Sequence, residues 1–281
     1  MPGNASQCRR RELATPARLS RAARVLTGGA LAAAALATTA AMPVTAAHPA
    51  GHGHRASAAA PGRPAGRGPR PSPRASSAAL WIHIAAGGGH TCGIRMGNTL
   101  WCWGANANGQ LGIGPTGDQD LPRQITYPTT RWASVTAGDA DTCATRTDGT
   151  LWCWGWNDFG QLGIGPTGEQ DSPQQVTSPA STGWTSTAAG DVHTCATRAR
   201  TLWCWGDGTA GQLGSGITRS VSTPRQVQQP ARAGWILITG GSQHSCATRT
   251  DGTLWCWGYN GDGELGTGTT TSHDTPQQVP S

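Results

Sequence analysis

Positive charge is scarce in the part of the sequence that carries most of the large side chains. From Trp81 to Ser281 there is no lysine, and ten arginines stand against fourteen acidic residues, which gives a net charge of −4. The other eleven arginines lie before Trp81. Binding to nucleic acid normally needs a basic face that displaces counterions from phosphates. We therefore expect no DNA or RNA partner for the region that begins at Trp81.

Motifs of the common enzyme classes are also missing. The sequence has no nucleophile elbow, no P-loop and no glycine-rich dinucleotide turn at the start of a helix. Its many Ser and Thr residues have no His and acidic partner at motif spacing. We predict that the protein is not an enzyme, with no catalytic or metal-binding residues and no cofactor. Binding is the function class that this leaves.

Large apolar side chains are rare at the start of the chain. Residues 1–47 combine an arginine-rich beginning, an Ala-rich apolar stretch over 25–42 and small residues at Ala46 and Ala47. This order predicts a secretory signal peptide, so we expect an extracellular protein that has lost Cys8. An uncleaved membrane anchor is the alternative, but the stretch is weakly apolar and barely long enough to span a bilayer. We therefore predict no transmembrane anchor.

A fourfold repeat follows the leader. Residues 48–80 are rich in Pro, Ala, Gly and Arg and are predicted to form a disordered linker. Each unit after the linker opens with Trp and continues with A/T-G-x-x-[HD]-[TS]-C, L-W-C-W-G, G-[QE]-L-G and P-[RQ]-Q-[VI]. A period of about 51 residues made of short strand-like runs and glycine turns is typical of propellers and solenoids. The units of this repeat region, 81–281, are 81–131, 132–183, 184–234 and 235–281.

Eight of the nine cysteines form pairs inside the units. In the second unit a three-residue hairpin loop ending at Gly149 places Cys143 opposite Cys153. The hairpin of the third unit is one residue shorter, and a two-residue turn still places Cys195 opposite Cys204. Zinc is the alternative, but each hairpin supplies two ligands where a structural site needs four. We predict four disulfides: Cys92–Cys102, Cys143–Cys153, Cys195–Cys204 and Cys246–Cys256.

The repeat carries a family resemblance. The pattern A-G-x-x-H-T-C-A, followed by D-G-x-L-W-C-W-G-x-N-x-x-G-Q-L-G, resembles the repeat of the regulator of chromosome condensation family over essentially all of Trp81 to Ser281. This resemblance implies an all-β fold, a β-propeller of four-stranded blades, usually seven. Only four repeats are present. We expect a small closed ring or an incomplete propeller, and a homodimer is the further option, because monomers seldom expose large apolar faces.

Most recurring residues have structural explanations. The two Trp of L-W-C-W-G, such as Trp101 and Trp103, alternate with Cys and share one face of a strand, which predicts packing between blades. A light-sensing Trp cluster, as in the plant ultraviolet receptor of this family, has no other support. A histidine precedes the first Cys in three units, but Asp141 takes its place in the second. This exchange favours hydrogen bonding to a neighbouring loop over catalysis or metal binding.

The strict repeat varies directly after L-W-C-W-G. The next residue is Ala105, Trp156, Asp207 or Tyr259. Loops carry binding, and aromatic residues are common at interface hot spots, although these side chains equally suit a role in covering the blade edge. The predicted partner-binding residues are Trp156, Asp158, Phe159 and Tyr259. Two acidic loops, 115–120 and 166–171, lack a recognisable calcium spacing, and ion binding there is left open.

Three functions fit the sequence. The first is a secreted, non-enzymatic binding module that presents propeller loops to a protein or cell-surface polymer. The second is an inhibitor of a secreted enzyme such as a β-lactamase, because a bacterial propeller inhibitor of that enzyme resembles this repeat family. The third is guanine nucleotide exchange on a small GTPase, the activity of the founding family member. Predicted export weighs against the third, since that partner is intracellular.

Overall fold

The computed structural model of the protein describes residues 80–129, 131–228 and 233–281. The predicted signal peptide and all but the last residue of the predicted linker lie outside these ranges. In the described ranges the regular structure consists of sixteen β-strands of five or six residues. Within the described ranges, no helix is long and apolar enough to cross a membrane.

The strands form four sheets, each of four antiparallel strands in chain order, which confirms the predicted propeller of four-stranded blades. Blade 1 holds β1 (Trp81–Ala86), β2 (His90–Arg95), β3 (Thr99–Gly104) and β4 (Gln119–Gln124). Blade 2 holds β5 (Trp132–Ala137), β6 (Asp141–Arg146), β7 (Leu151–Gly155) and β8 (Gln170–Gln175). Blade 3 holds β9 (Trp184–Ala189), β10 (His193–Arg198), β11 (Thr201–Gly206) and β12 (Val221–Gln226). Blade 4 holds β13 (Trp235–Gly240), β14 (His244–Arg249), β15 (Leu254–Gly258) and β16 (His273–Gln278).

The hairpin between the second and third strands sets the register of each blade. In blade 2 the loop closes through Gly149, whose φ of 78° lies in the left-handed region. In blade 3 the shorter turn uses Ala199 and Arg200, both with positive φ, and Cys195 still lies opposite Cys204. All four cysteine pairs are directly opposed, with Cα atoms 4.1 Å apart and sulfur atoms within bonding distance. The geometry therefore fits the four predicted disulfides.

The hydrophobic core lies between consecutive blades, at contacts that we call joints. Each joint packs the Leu and Cys face of one blade against the Trp face of the next. At the first joint Leu100 and Leu111 of blade 1 meet Trp132 and Trp154 of blade 2, and all four are buried. The second and third joints repeat this arrangement with the corresponding residues. The Trp residues of L-W-C-W-G in blades 2, 3 and 4 thus pack between blades, as the sequence predicts, whereas Trp101 and Trp103 of blade 1 belong to none of the three joints.

Among the residues that the structure describes, blades 1 and 4 each leave one face without a neighbouring blade. The inner strands pack in succession, β1 on β5, β5 on β9 and β9 on β13, and in the described ranges no packing of that extent joins β13 to β1. Trp81 of blade 1 is 41% exposed, whereas Trp132, Trp184 and Trp235 at the same position are 1–2% exposed. Of the arrangements that the sequence left open, this exposure favours an incomplete propeller.

Candidate functional site

The strand directions give every blade two different edges. The turns between first and second strands and the fourteen-residue loops between third and fourth strands emerge at one edge, which we call the loop edge. The tight hairpins between second and third strands and the connections between blades emerge at the other, the hairpin edge. Long loops on a rigid frame commonly carry binding sites. The loop edge is therefore the candidate site.

An asparagine fixes the shape of the long loop in three blades. In blade 2 the Nδ2 of Asn157 donates to the Thr167 carbonyl at 2.6 Å, and its Oδ1 accepts from the Leu162 amide at 3.0 Å. The Gln161 side chain accepts from the Phe159 amide at 3.1 Å. Asn106 and Asn260 make the equivalent bonds in blades 1 and 4. Because the Asn157 side chain both donates and accepts within the loop, the residues between its partners are held in a fixed position.

Blade 3 holds its loop differently. Gly208 replaces the asparagine, and the preceding Asp207 is buried and accepts hydrogen bonds from Thr209, Gln212 and Ser220. Asp207 occupies the position of Trp156 in blade 2. The variable position after L-W-C-W-G is therefore structural in blade 3, and only some blades present it to solvent.

Three of the predicted partner-binding residues lie together in the blade 2 loop. The rings of Trp156 and Phe159 meet edge to face, with centroids 5.4 Å apart. Phe159 is 38% exposed, Trp156 is half-buried beneath it, and Asp158 is exposed beside them. A shallow depression next to this pair is lined by the 166–168 segment and by Ser220 and Ser222 of blade 3. The loop thus presents a supported aromatic side chain next to a carboxylate.

The fourth predicted residue lies elsewhere on the same edge. Tyr259 is exposed in the corresponding loop of blade 4, where its ring covers Gly261. A side chain at Gly261 would collide with that ring, so the pair is closely packed. In the described part of the chain, Tyr259 makes no ring contact with Trp156 or Phe159. The structure therefore joins three of the four predicted residues and leaves Tyr259 apart.

Charge is strongly segregated between the two edges. Twelve of the fourteen acidic residues of the repeats lie in loop-edge turns and loops, or in the first two residues of strands that start there. Eight of the nine arginines in the described ranges lie towards the hairpin edge, and Arg219 is the exception. The two acidic residues at the hairpin edge stand beside arginines, with Arg146 to Asp148 at 2.8 Å and Arg249 to Asp251 at 3.9 Å. The loop edge therefore carries a negative field around the aromatic pair.

The sequence reasoning missed this segregation. The acidic residues occur at recurring offsets in the units, after the first strand and around the start of the fourth. Mapping charge onto the offsets of the repeat would have revealed it. Within the two acidic loops Asp118 accepts from the Asn106 amide at 2.9 Å, which gives that carboxylate a structural role. Among the described residues no group of three or more His, Cys, Asp or Glu is placed to hold a metal ion.

Two of the three recurring histidines bond across the joints, to a strand hydroxyl of the next blade rather than to the neighbouring loop that the sequence predicts. His90 Nε2 lies 2.7 Å from Thr142 Oγ1, and His193 Nε2 lies 2.8 Å from Ser245 Oγ. Burial lowers the pKa of both histidines to about 4, so they are neutral at pH 7. Burial raises the pKa of Asp141, which takes the histidine position in blade 2, well above 3.8, and neighbouring Asp139 and Asp191 raise it further. These groups are structural parts of the joints.

The repeat pattern described as "Regulator of chromosome condensation (RCC1) repeat" matches this chain in two versions. One version matches residues 98–145, 148–197, 201–248 and 251–281, and the other matches 81–110, 132–161 and 235–264. This chain belongs to the RCC1 repeat family. The matches extend across all four blades, so the charged edge and the aromatic pair are features of an RCC1 propeller.

Relatives of this RCC1-repeat chain have varied names. It is 34% identical over 198 residues to the ultraviolet-B receptor UVR8 of Arabidopsis thaliana, which covers 70% of this chain and 45% of that protein. It is 32% identical over 202 residues to the E3 ubiquitin-protein ligase HERC2 of Homo sapiens, covering 70% of this chain and 4% of that protein. The chain thus spans less than half the length of these relatives.

Solved structures share the fold. Human WBSCR16 superimposes with a TM-score of 0.65 at 21% identity, over 72% of this chain and 53% of that chain. Yeast RCC1 (Prp20), solved with Kap60, superimposes with a TM-score of 0.64 at 21% identity, over 74% and 50%. At this level of identity the likeness shows the propeller fold alone.

Proposed function

We propose that this chain is an exported, non-enzymatic binding module that holds a protein partner on its loop edge. The observation that carries this proposal is the Phe159 ring, exposed on top of Trp156 in a loop fixed by its own hydrogen bonds. A rigid aromatic side chain loses little conformational entropy on binding and buries a large area, which is the chemistry of an interface anchor. Yeast RCC1 (Prp20), which shares the fold, was solved bound to a protein, Kap60.

The negative charge of the loop edge indicates what kind of partner surface would fit it. The aromatic pair lies on the edge that carries twelve of the fourteen acidic residues of the repeats. A partner with a basic surface around an apolar pocket matches this edge, and electrostatic attraction would speed its association. Such attraction is screened by salt, since the Debye length shortens to about 3 Å at 1 M. Binding should therefore weaken as the salt concentration rises.

The test compares two exposed aromatic residues on opposite edges. The chain is immobilised, partners are captured from the medium of the producing cells and identified by crosslinking and mass spectrometry, and each affinity is then measured. Phe159→Ala should weaken binding by about thirtyfold, the loss typical of a hot spot. Tyr127→Ala is the matched control, because Tyr127 is exposed and packs edge to face on Trp152 away from the loop edge. Equal losses for the two variants, or none for Phe159→Ala, would overturn the proposal.

A secreted hydrolase is the second candidate partner. The Asp158–Phe159 segment is exposed beside a depression and offers one aromatic and one acidic side chain together, which suits insertion into a cleft. Inhibition assays against secreted hydrolases, β-lactamases included, test this function directly. Inhibition that disappears in Phe159→Ala and survives in Tyr127→Ala would identify the chain as an inhibitor.

A further inference from the structure

The three joints share one set of polar contacts. In each, the backbone carbonyl of the Gln in G-Q-L-G accepts two hydrogen bonds from the following blade. At the first joint the Gln110 carbonyl accepts from Trp154 Nε1 at 2.9 Å and Thr142 Oγ1 at 2.8 Å. The Gln161 and Gln212 carbonyls do the same at the second and third joints. At each of the three joints, one backbone carbonyl oxygen thus binds two side chains of the next blade.

Backbone contacts strengthen the same pattern. The glycine that ends G-Q-L-G packs so closely on the indole of the next blade that a side chain there would collide with it, as at Gly112 and Trp154. Two residues later, the Gly114 amide donates to the Asp171 carbonyl at 2.9 Å. Gly165 and Gly216 make the corresponding bonds to Ser222 and Asp274. Every joint therefore has a giving face, which supplies the carbonyl and the glycines, and a receiving face, which supplies the indole and hydroxyl.

Within residues 80–129, 131–228 and 233–281, no blade covers the giving face of blade 4. In blade 4 the groups at the corresponding positions are the Glu264 carbonyl, Gly266 and the Gly268 amide. In the described part of the chain the Glu264 carbonyl has no partner of the kind its counterparts have. A side chain at Gly266 would reach Val279 of its own blade, whereas one at Gly112 would collide with the indole of the next blade. Leu254 is 40% exposed, whereas Leu151 and Leu202 at the same position are fully buried.

Blade 1 carries the matching receiving face, which no other described blade covers. Trp103 and Thr91 stand where Trp154 and Thr142 stand in blade 2, and within the described ranges neither makes the corresponding bond. Trp103 and Ile84 line an apolar depression on this face. Ile84 is 70% exposed, whereas its counterpart Val135 packs into the first joint.

We propose that two copies of this chain close into one ring of eight blades, with blade 4 of each copy seated on blade 1 of the other. The new contact continues the joint that the chain already makes three times. The Glu264 carbonyl then accepts from Trp103 Nε1 and Thr91 Oγ1 of the second copy, and Gly266 lies against that indole. Head-to-tail contacts close into rings when the rotation per unit permits, and propellers of up to eight blades occur. Both exposed apolar faces are buried as a result.

The test uses one variant on each face and a matched control. Ile84→Asp places a charge on the receiving face, and Leu254→Asp places one on the giving face. Leu121→Asp is the control, because Leu121 is 72% exposed on blade 1 and does not belong to the packed cluster of the adjoining joint. The mass in solution is measured by light scattering over a wide range of concentration, and circular dichroism and thermal melting verify that each variant is folded.

The wild-type chain and Leu121→Asp should have the mass of two copies, and Ile84→Asp and Leu254→Asp should each have the mass of one. An equimolar mixture of the two single-face variants should regain the mass of two copies, because each retains one intact face of opposite kind. A monomeric wild type, or larger open polymers, would overturn the proposal. So would a dimer that Ile84→Asp breaks and Leu254→Asp leaves intact, since that dimer would pair two like faces.

Discussion

Asp141 shows how one residue alters a joint that is otherwise repeated. His90 and His193, at the same position in blades 1 and 3, are buried and bond to a hydroxyl of the next blade. Both carboxylate oxygens of Asp141 are buried and have no hydrogen-bond partner among the described residues. A buried polar group without a partner costs about 1–3 kcal/mol. The second joint is therefore weaker than its neighbours at the pH where Asp141 ionises.

Asp141→Asn should stabilise the protein in a pH-dependent way. Burial raises the pKa of Asp141 well above 3.8, so the folded protein binds this proton more tightly than the unfolded chain does. Stability therefore falls as pH rises from 3.8 through the folded-state pKa. Asparagine does not ionise, and the variant should be about 1–3 kcal/mol more stable at pH 7, with a smaller gain near pH 4. Urea unfolding under non-reducing conditions, repeated across this pH range, measures the difference.

The matched control is Asp120→Asn, an exposed carboxylate in β4 that is not among the charges that raise the pKa of Asp141. Surface substitutions of this kind usually change stability by less than about 0.5 kcal/mol. A gain in Asp141→Asn that is constant with pH would contradict the ionisation argument, because only the charged form is penalised by burial.

At the scale of the element, the hairpin and its cysteine pair form the repeating unit of the blade. Non-reducing peptide mapping should find four intra-blade disulfides and no free thiol in the repeats, including the shortened pair Cys195–Cys204. The direct opposition of the cysteines in every hairpin is the physical reason. Replacing Cys143 and Cys153 by Ala together should cost about 2–3 kcal/mol by chain entropy, or less where the hairpin is already ordered in the unfolded state. A peptide joining Cys102 to Cys143 would contradict this prediction.

The hairpins were predictable and the long loops were not. The deletion in the third unit falls where a two-residue turn preserves the register, so Cys195 and Cys204 could be paired from spacing alone. The loop of blade 3 carries no such signal. Asp207 looks like a free variable position in the sequence, yet it is buried and accepts several hydrogen bonds, because Gly208 lacks the amide that Asn157 supplies in blade 2. The shape of this loop depends on hydrogen bonds between residues up to thirteen positions apart.

At the scale of the whole molecule, the number and type of blades followed from the repeat, but the segregation of charge did not. Strand order is local, since each strand pairs with its neighbour in sequence. Which edge a charge occupies depends on strand direction, so it becomes evident only once the antiparallel order is known. The aromatic residues were identified as variable positions, and the structure adds that Trp156 supports Phe159 while Tyr259 lies apart.

Export should remove the first part of the chain. N-terminal sequencing of protein recovered from the culture medium should begin near Ala46 or Ala47, and mass spectrometry should find no peptide containing Cys8. We expect this cleavage because the arginine-rich start is followed by an Ala-rich stretch and then by small residues. Limited proteolysis should then cut before Trp81 and spare the blades, whose strands are paired in four-stranded sheets. Recovery of an intact Met1 in a membrane fraction would favour the anchor instead.

The separation of arginines from carboxylates gives the propeller an electric dipole along its axis. Near an anionic surface such a molecule turns, because its positive pole is attracted and its negative pole is repelled. The hairpin edge then faces the surface and the Phe159 loop faces outward into solution. A partner approaching from solution would therefore meet the loop edge first.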